Sequence, residues 1–238
     1  MINTLNESSL HKSLKEIYRI KEKKDGNILQ PEIKVGSFIC DLANERNIVE
    51  IQGGNLSVLR KKLEFFLPNY AVKVVYPVVT KKYIITINQG GEIVRETVSP
   101  KKCNIYSIFK EMTKLSDIIF HENLEIHGVE VITEEIRIIT DEPQQSKNKK
   151  RRFLQNWQKV DKRLKEMGKT IILNNKCDYL ALLEDLPQRE NFTLNDLGNV
   201  AGKKNAGYMK YVFLKSGLIE EIPGEGRRKF FKVKINAK

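Results

Sequence analysis

Apolar residues recur at two spacings along this chain, and the changes between them predict its elements. Ser8 or Ser9 can cap a helix, and Leu10, Leu14, Ile17 and Tyr18 follow as one stripe at helical spacing. The stripe stops at Lys24-Asp25-Gly26. Residues 35–43 and 48–52 are apolar, strand-like runs on either side of Asn44-Glu45-Arg46-Asn47, which predicts a hairpin. Gly53-Gly54-Asn55 makes a sharp exit. Leu56, Leu59, Leu63, Phe66 and Leu67 then mark the core side of a helix. Residues 72–78 read as a buried strand, so strand, helix and strand predict a right-handed crossover and a parallel pair.

The pattern continues with a second hairpin, 83–88 and 92–98, across Gly90-Gly91. Ile105, Ile108, Phe109, Met112, Leu115 and Ile119 predict a helix over 105–119, and 124–139 reads as one or two strands. Residues 141–152 are polar throughout, turn from acidic to basic, and read as a linker. Helical spacing resumes over 153–167 through Leu154, Trp157, Val160 and Leu164, with the sole tryptophan as an expected packing anchor. Next come a helix ended by Pro187, a helix over 194–201 capped by Thr193, and a turn at Gly202. A helix over 203–216 and two strands around a turn at 223–226 complete the chain. The expected organisation is an α/β domain over 1–140, a basic linker and helix over 141–177, and a small α+β domain over 178–238.

Charge sharpens that division. Residues 1–145 hold 20 basic and 20 acidic residues, leaving 22 of the 42 Lys+Arg and 10 of the 30 Asp+Glu for the remainder. The whole net charge of +12 therefore sits in the last 93 residues. An asymmetry of this kind points to a nucleic-acid partner. No apolar run approaches the roughly 18 residues that cross a membrane, so no membrane partner is expected. Residues 1–7 lack the basic and apolar regions of a secretory leader. Cys40, Cys103 and Cys177 are isolated, which points to a reducing, cytoplasmic setting and away from disulfides and zinc. His121 and His127, with no cysteine nearby, read as surface residues.

The first hairpin carries the candidate chemistry. Asp41 falls near the end of one strand and Glu50 on its partner. Carboxylates on adjacent strands can share a hard divalent cation. Gln52, two residues past Glu50, lies on the same strand face. Of the acids near the first helix, Glu7 projects toward Leu10 and Leu14, whereas Glu16 projects to the opposite side.

Asp41, the gap, Glu50-Ile51-Gln52 and the helix that follows resemble the PD-(D/E)XK nuclease superfamily. The resemblance implies a restriction-endonuclease-like mixed sheet flanked by helices. It also implies Mg²⁺ or Mn²⁺ on Asp41 and Glu50, and an acid from the first helix, Glu7, beside them. Gln52 stands where the superfamily usually has lysine, as it does in some of its restriction endonucleases. Residues 178–238 resemble a winged helix-turn-helix, carried by Ala201-Gly202 and the Leu-Lys-Ser-Gly-Leu-Ile run. That likeness implies a third helix in the DNA major groove, with Lys203, Lys204, Asn205, Tyr208 and Lys210 on or near its exposed side. Arg227, Arg228 and Lys229 follow the wing tip. Lys101, Lys150, Arg151 and Arg152 are further candidates for phosphate contacts, and Asn205 for a base edge. Both halves together resemble a bacterial family without assigned activity.

The function expected is a Mg²⁺-dependent DNA endonuclease with Asp41 and Glu50 on the metal, Gln52 orienting water and Glu7 as an outer ligand or proton acceptor. Paired cuts would require a homodimer. The alternatives are a DNA-binding protein that keeps the nuclease fold without turnover, and a module whose winged helix meets a protein.

Overall fold

A computed structural model describes residues 7–146, 149, 151–187, 190–224 and 228–234. Lys150 and Arg227, both expected on DNA, lie outside the described residues. Helix α1 (Ser9–Lys24) is capped by the Ser8 hydroxyl, which accepts from the His11 N–H, and it ends as expected at Asp25 and Gly26. Strand β1 (Gln30–Val35) was not anticipated; it pairs antiparallel with β2 (Phe38–Ala43). The predicted hairpin is β2 with β3 (Asn47–Ile51). A short 3-10 turn and α2 (Arg60–Phe66) then lead to β4 (Ala71–Ile87), parallel to β3 as the crossover rule requires.

Strand β4 runs far beyond the predicted stretch, and its second half pairs with β5 (Ile93–Val98). The helix expected over 105–119 is instead a 3-10 turn, the short helix α3 (Ile108–Met112) and successive turns. Its apolar set is still buried: Ile108, Phe109, Met112, Leu115 and Ile119 are all fully covered.

The largest correction concerns residues 141–177. Strand β6 (Leu124–Gln144) runs through the start of the expected linker, and the expected linker helix is β7 (Gln155–Leu173), antiparallel to β6. Strands β6 and β7 form a long hairpin arm. Spacings of three and four among Trp157, Val160 and Leu164 arise here on a strand whose register shifts repeatedly. The sheet order is β1-β2-β3-β4-β6-β7, with β5 against the far half of β4. It is a mixed sheet with helices on both faces.

Trp157 is a packing anchor of a different kind from the one expected. The guanidinium groups of Arg137 and Arg151 cover its ring at 3.7 and 4.0 Å. His127, expected at the surface, is 1 % exposed and hydrogen-bonds the Tyr18 hydroxyl at 2.9 Å. Its other nitrogen meets Glu125.

The C-terminal part comprises α4 (Lys176–Ala181), α5 (Leu194–Ala201) and α6 (Lys203–Lys215), with β8 (Phe192–Thr193), β9 (Ile219–Ile222) and β10 (Phe230–Val233). The three strands form a small sheet in the order β8-β10-β9. Thr193 caps α5 in a reciprocal pair with Asp196. Gly202 makes the turn at φ 85°, a region open to glycine without a Cβ clash.

Two apolar clusters flank the large sheet. One packs α1 through Leu10, Leu14 and Tyr18 against Leu42, Val49, Ile51 and Val75. The other packs α2 and α3 on the opposite face and continues without a break into Tyr179, Phe192, Phe213 and Phe231. Phe109 meets Phe213 edge-on at 5.2 Å, and Phe120 meets Tyr179 at 5.2 Å. Removing a buried aromatic ring costs about 3–5 kcal/mol. Phe213→Ala should therefore lower stability by about that amount, with both parts of the chain losing structure in one transition. Urea unfolding followed by circular dichroism and by Trp157 fluorescence checks this, because Trp157 reports on the arm alone.

Candidate active site

The site begins with a break in strand alternation. Cys40 packs on the α2 side of the sheet and Leu42 on the α1 side, although residues two apart on a regular strand share a face. Between them the β1–β2 ladder pairs Pro31 with Leu42 and Ile33 with Cys40, with no Glu32–Asp41 pair recorded. Glu32 takes a positive φ of 56°. The strands twist over at this point, and the Asp41 carboxylate turns toward α1. There its Oδ2 accepts from the Ile51 N–H at 2.7 Å.

Across from Asp41, the first turns of α1 present His11. Its Nε2 donates to the Ile51 carbonyl at 2.8 Å and lies 3.3 Å from Asp41 Oδ2. Its Nδ1 meets the Glu7 carboxylate. A carbonyl can only accept, and a carboxylate beside an N–H accepts too, so both ring nitrogens carry protons. The electrostatics agree. Burial would lower the His11 pKa, but the Asp41 and Glu7 carboxylates outweigh it and push it up to about 9. Burial would raise Asp41 and Glu7, yet both are held below their usual values, Asp41 mainly by His11 and Glu7 by Lys15 and His11. Lys15 lies 2.9 Å from Glu7 and also pairs with Glu32. Ligand-capable atoms of Glu7, His11 and Asp41 all lie within 4.8 Å of one another.

Glu50 is brought beside Asp41 but differs from it in environment. It is 3 % exposed, and Lys62 on α2 donates to both its oxygens at 2.8 and 2.9 Å. Burial pushes its pKa up to about 7; Lys62 works against that shift and the Asp41 charge adds to it. Burial, with the Glu50 charge behind it, also drives the adjacent Cys40 thiol up to about 12. The Gln52 side chain is turned away, donating to the Gly54 carbonyl. It braces the loop that leaves β3.

A cleft of about 430 Å³ opens on the cluster, with Glu7, His11, Ile51 and Gly53 on one side and Lys159 and Lys162 of β7 on the other. Ser9 holds the two walls together: its backbone N–H and its hydroxyl donate to the Asp161 carboxylate at 3.0 and 2.6 Å. Among the described residues Lys162 has no ion-pair partner. Burial first, and then the charges of Lys159 and Lys82, lower its pKa to about 8.

The other expected contacts are scattered. Arg151 is committed to Trp157 and to the Gln144 and Trp157 carbonyls, while Arg152 is exposed over the Phe153 ring. Lys101, Lys203, Lys204, Tyr208 and Arg228 are exposed. Lys210 is half-buried over Phe231, and Lys229 pairs with Glu221 at 2.8 Å. Asn205, expected to face a base, instead donates to the Asn104 side chain at 2.8 Å and the Ala201 carbonyl at 3.0 Å. Sequence reasoning missed His11, Lys62 as the partner of Glu50, and the two lysines of the cleft. For His11 a signal existed, because Glu7 and His11 stand four apart, the spacing that brings side chains together on a helix.

Fold and site define an α/β protein with a mixed, helix-flanked sheet and a histidine–carboxylate cluster at its edge. The chain belongs to the family of the Domain of unknown function (DUF8091), whose profile matches residues 8–174, from the α1 cap to the end of β7. An uncharacterized protein of Treponema pallidum (strain Nichols) is 30% identical over 233 residues, 97% of this chain and 87% of that one. The likeness thus extends through the C-terminal helices. No solved structure matches.

The raised His11 pKa makes a testable statement. A histidine whose folded pKa lies above its unfolded value stabilises fully below the unfolded value and loses that contribution as pH rises. Here the loss should run from about pH 6.5 to about 9. Imidazole NMR should show a His11 midpoint near 9, and Asp41→Asn should bring it well down toward the ordinary histidine value. A wild-type midpoint already at the ordinary value would remove the imidazolium from the site.

Proposed function

We propose that this protein is a metal-dependent phosphodiesterase that acts on DNA, on a restriction-endonuclease-like sheet, with its last three helices and small sheet serving as a winged helix-turn-helix. The observation that carries the reading is the convergence of Glu7 and His11, with Asp41 behind His11, at one side of a cleft whose other side presents Lys159 and Lys162. Carboxylates that hold a cation and ammonium groups that hold a phosphate are the two requirements of phosphodiester hydrolysis.

The donor set suits a divalent ion, with an adjustment to the expected ligands. Glu7 and Asp41 offer oxygens and His11 a nitrogen, a mixture that a first-row ion such as Mn²⁺ accepts more readily than Mg²⁺ does. When bound, the ion polarises a phosphoryl oxygen and lowers the pKa of a bound water. The chain supplies the rest. Lys159 and Lys162 position the phosphate. Glu50, buried beneath Lys62 on the α2 side, does not open on the cleft and supports the Asp41 strand from behind. Lys62 places beside it the positive charge that Gln52 does not provide. His11 must release a proton before it can ligate, so metal affinity should rise with pH. Lys203, Lys204, Tyr208 and Arg228 remain exposed for DNA, and Asn205 does not.

A second reading, DNA binding without turnover, is favoured by one observation: Glu50 and Gln52 are both engaged within the protein, on Lys62 and on the Gly54 carbonyl. Incubation with supercoiled plasmid and with single-stranded circles separates the two. The wild type should nick in Mn²⁺ more than in Mg²⁺. Asp41→Ala should lose more than about 100-fold of that activity, since losing even a supporting partner of a metal ligand costs about 10–100-fold. A mobility shift without nicking in either metal would establish the second reading.

A further inference from the structure

The register of β6 against β7 shifts between the pairs Ile136–Asp161 and Arg137–Lys159, leaving Val160 as an extra residue on β7. A bulge resets which side chains share a face. Glu135 and Arg137 lie two apart on β6 and so share one. Their β7 partners, Lys162 and Lys159, therefore share it too. Ile139 continues that face and is paired with Trp157, the ring clasped by Arg137 and Arg151. Without the bulge, Lys159 and Lys162, three residues apart, would point to opposite sides of the arm. Glu135, the acid on this face between the two lysines' partners, is already neutralised by Lys82 at 2.8 Å and Arg137 at 2.6 Å.

The stripe ends differently at its two extremities. At the base, Lys159 and Lys162 line the cleft of Glu7 and His11. At the tip, Phe153 and Leu154 are 64% and 55% exposed, and the Arg152 guanidinium lies over the Phe153 ring at 5.1 Å. Bare apolar groups among cations are unfavourable in water and favourable against nucleobases, which stack on aromatic rings while the cations track the phosphates.

We propose that this face of the arm is a track for an unpaired nucleic-acid strand, entering at Phe153 and Leu154 and leading past Arg151, Lys159 and Lys162 into the cleft. The proposal rests on the nucleic-acid partner of the function above and not on its metal chemistry. A duplex hides its base faces in the stack, whereas a single strand offers bases to Phe153 and phosphates to the lysines. Trp157 is covered on both faces, so it is an anchor for two arginines and not a stacking surface. As the only tryptophan in the chain it also reports on the track.

The test uses the full chain in EDTA, where no metal-dependent cutting can occur. Trp157 emission and the anisotropy of labelled oligonucleotides are followed for an oligo-dT strand, a blunt duplex and the same duplex with a single-stranded overhang. The strand and the overhang should alter Trp157 emission, and the blunt duplex should not. Phe153→Ala/Leu154→Ala and Lys159→Glu/Lys162→Glu, each checked for a native circular dichroism spectrum, should each weaken oligo-dT binding by about tenfold or more. Both should lower the preference for overhang over blunt duplex. Oligo-dT affinity unchanged in both variants, or saturation with no change in Trp157 emission, overturns the track. If oligo-dT binding disappears only with Lys203→Glu/Lys204→Glu, the track falls while the nucleic-acid partner stands. If the wild type binds none of the three, the nucleic-acid partner falls as well, and an acidic protein surface becomes the better occupant of the arm.

Discussion

An imidazolium between two carboxylates joins the first helix to the sheet. His11 meets Glu7 just ahead of its own helix, Asp41 on β2 and the Ile51 carbonyl at the end of β3. Apolar contacts at Leu10, Leu14 and Tyr18 press α1 onto the sheet, but they do not fix how far it slides or turns. The three acceptors around His11 do, because hydrogen bonds are directional where apolar contact is not. Ser9 with Asp161 repeats the device toward the arm. Helix α1 is thereby held by polar contacts on both sides of the cleft that it lines.

The sheet sets up that geometry by two departures from regular alternation. At Glu32 and Asp41 the edge twists over, and a carboxylate that should face α2 faces α1 instead. At Val160 the arm bulges, and two lysines that should face apart face together. One departure gathers negative charge and the other positive, on opposite walls of one cleft. Bulges and twists are tolerated at sheet edges because few ladder bonds are lost there. β1, whose ladder with β2 skips Glu32 and Asp41, and β7 are the outer strands, where such irregularities cost least.

Short-range pattern made much of this legible. The α1 stripe, the β2–β3 hairpin, the crossover into β4 and the helices around Gly202 all rest on spacings within about ten residues. What failed depended on distant partners. Residues 155–169 are rich in lysine and poor in β-branched residues, so their propensity does not announce a strand. Pairing with the apolar β6 overrides it. His11 meets its partner Asp41 only through the tertiary fold. Lys62 lies beside the apolar stripe of α2, but nothing local shows that it faces a buried glutamate. Asn205 sits where a groove-reading residue would, yet Asn104, a hundred residues earlier, takes its amide.

The unbroken core between the sheet and the C-terminal helices has a mechanical consequence. Phe109 against Phe213 and Phe120 against Tyr179 are edge-on aromatic contacts inside one apolar mass, not a hinge between two bodies. Helix α6 is therefore held at a fixed offset from the cleft. On the proposed function the molecule is a ruler and not a tether: the position at which the cleft would meet a bound strand is set by the packing of two pairs of rings, and repacking them would move the mark.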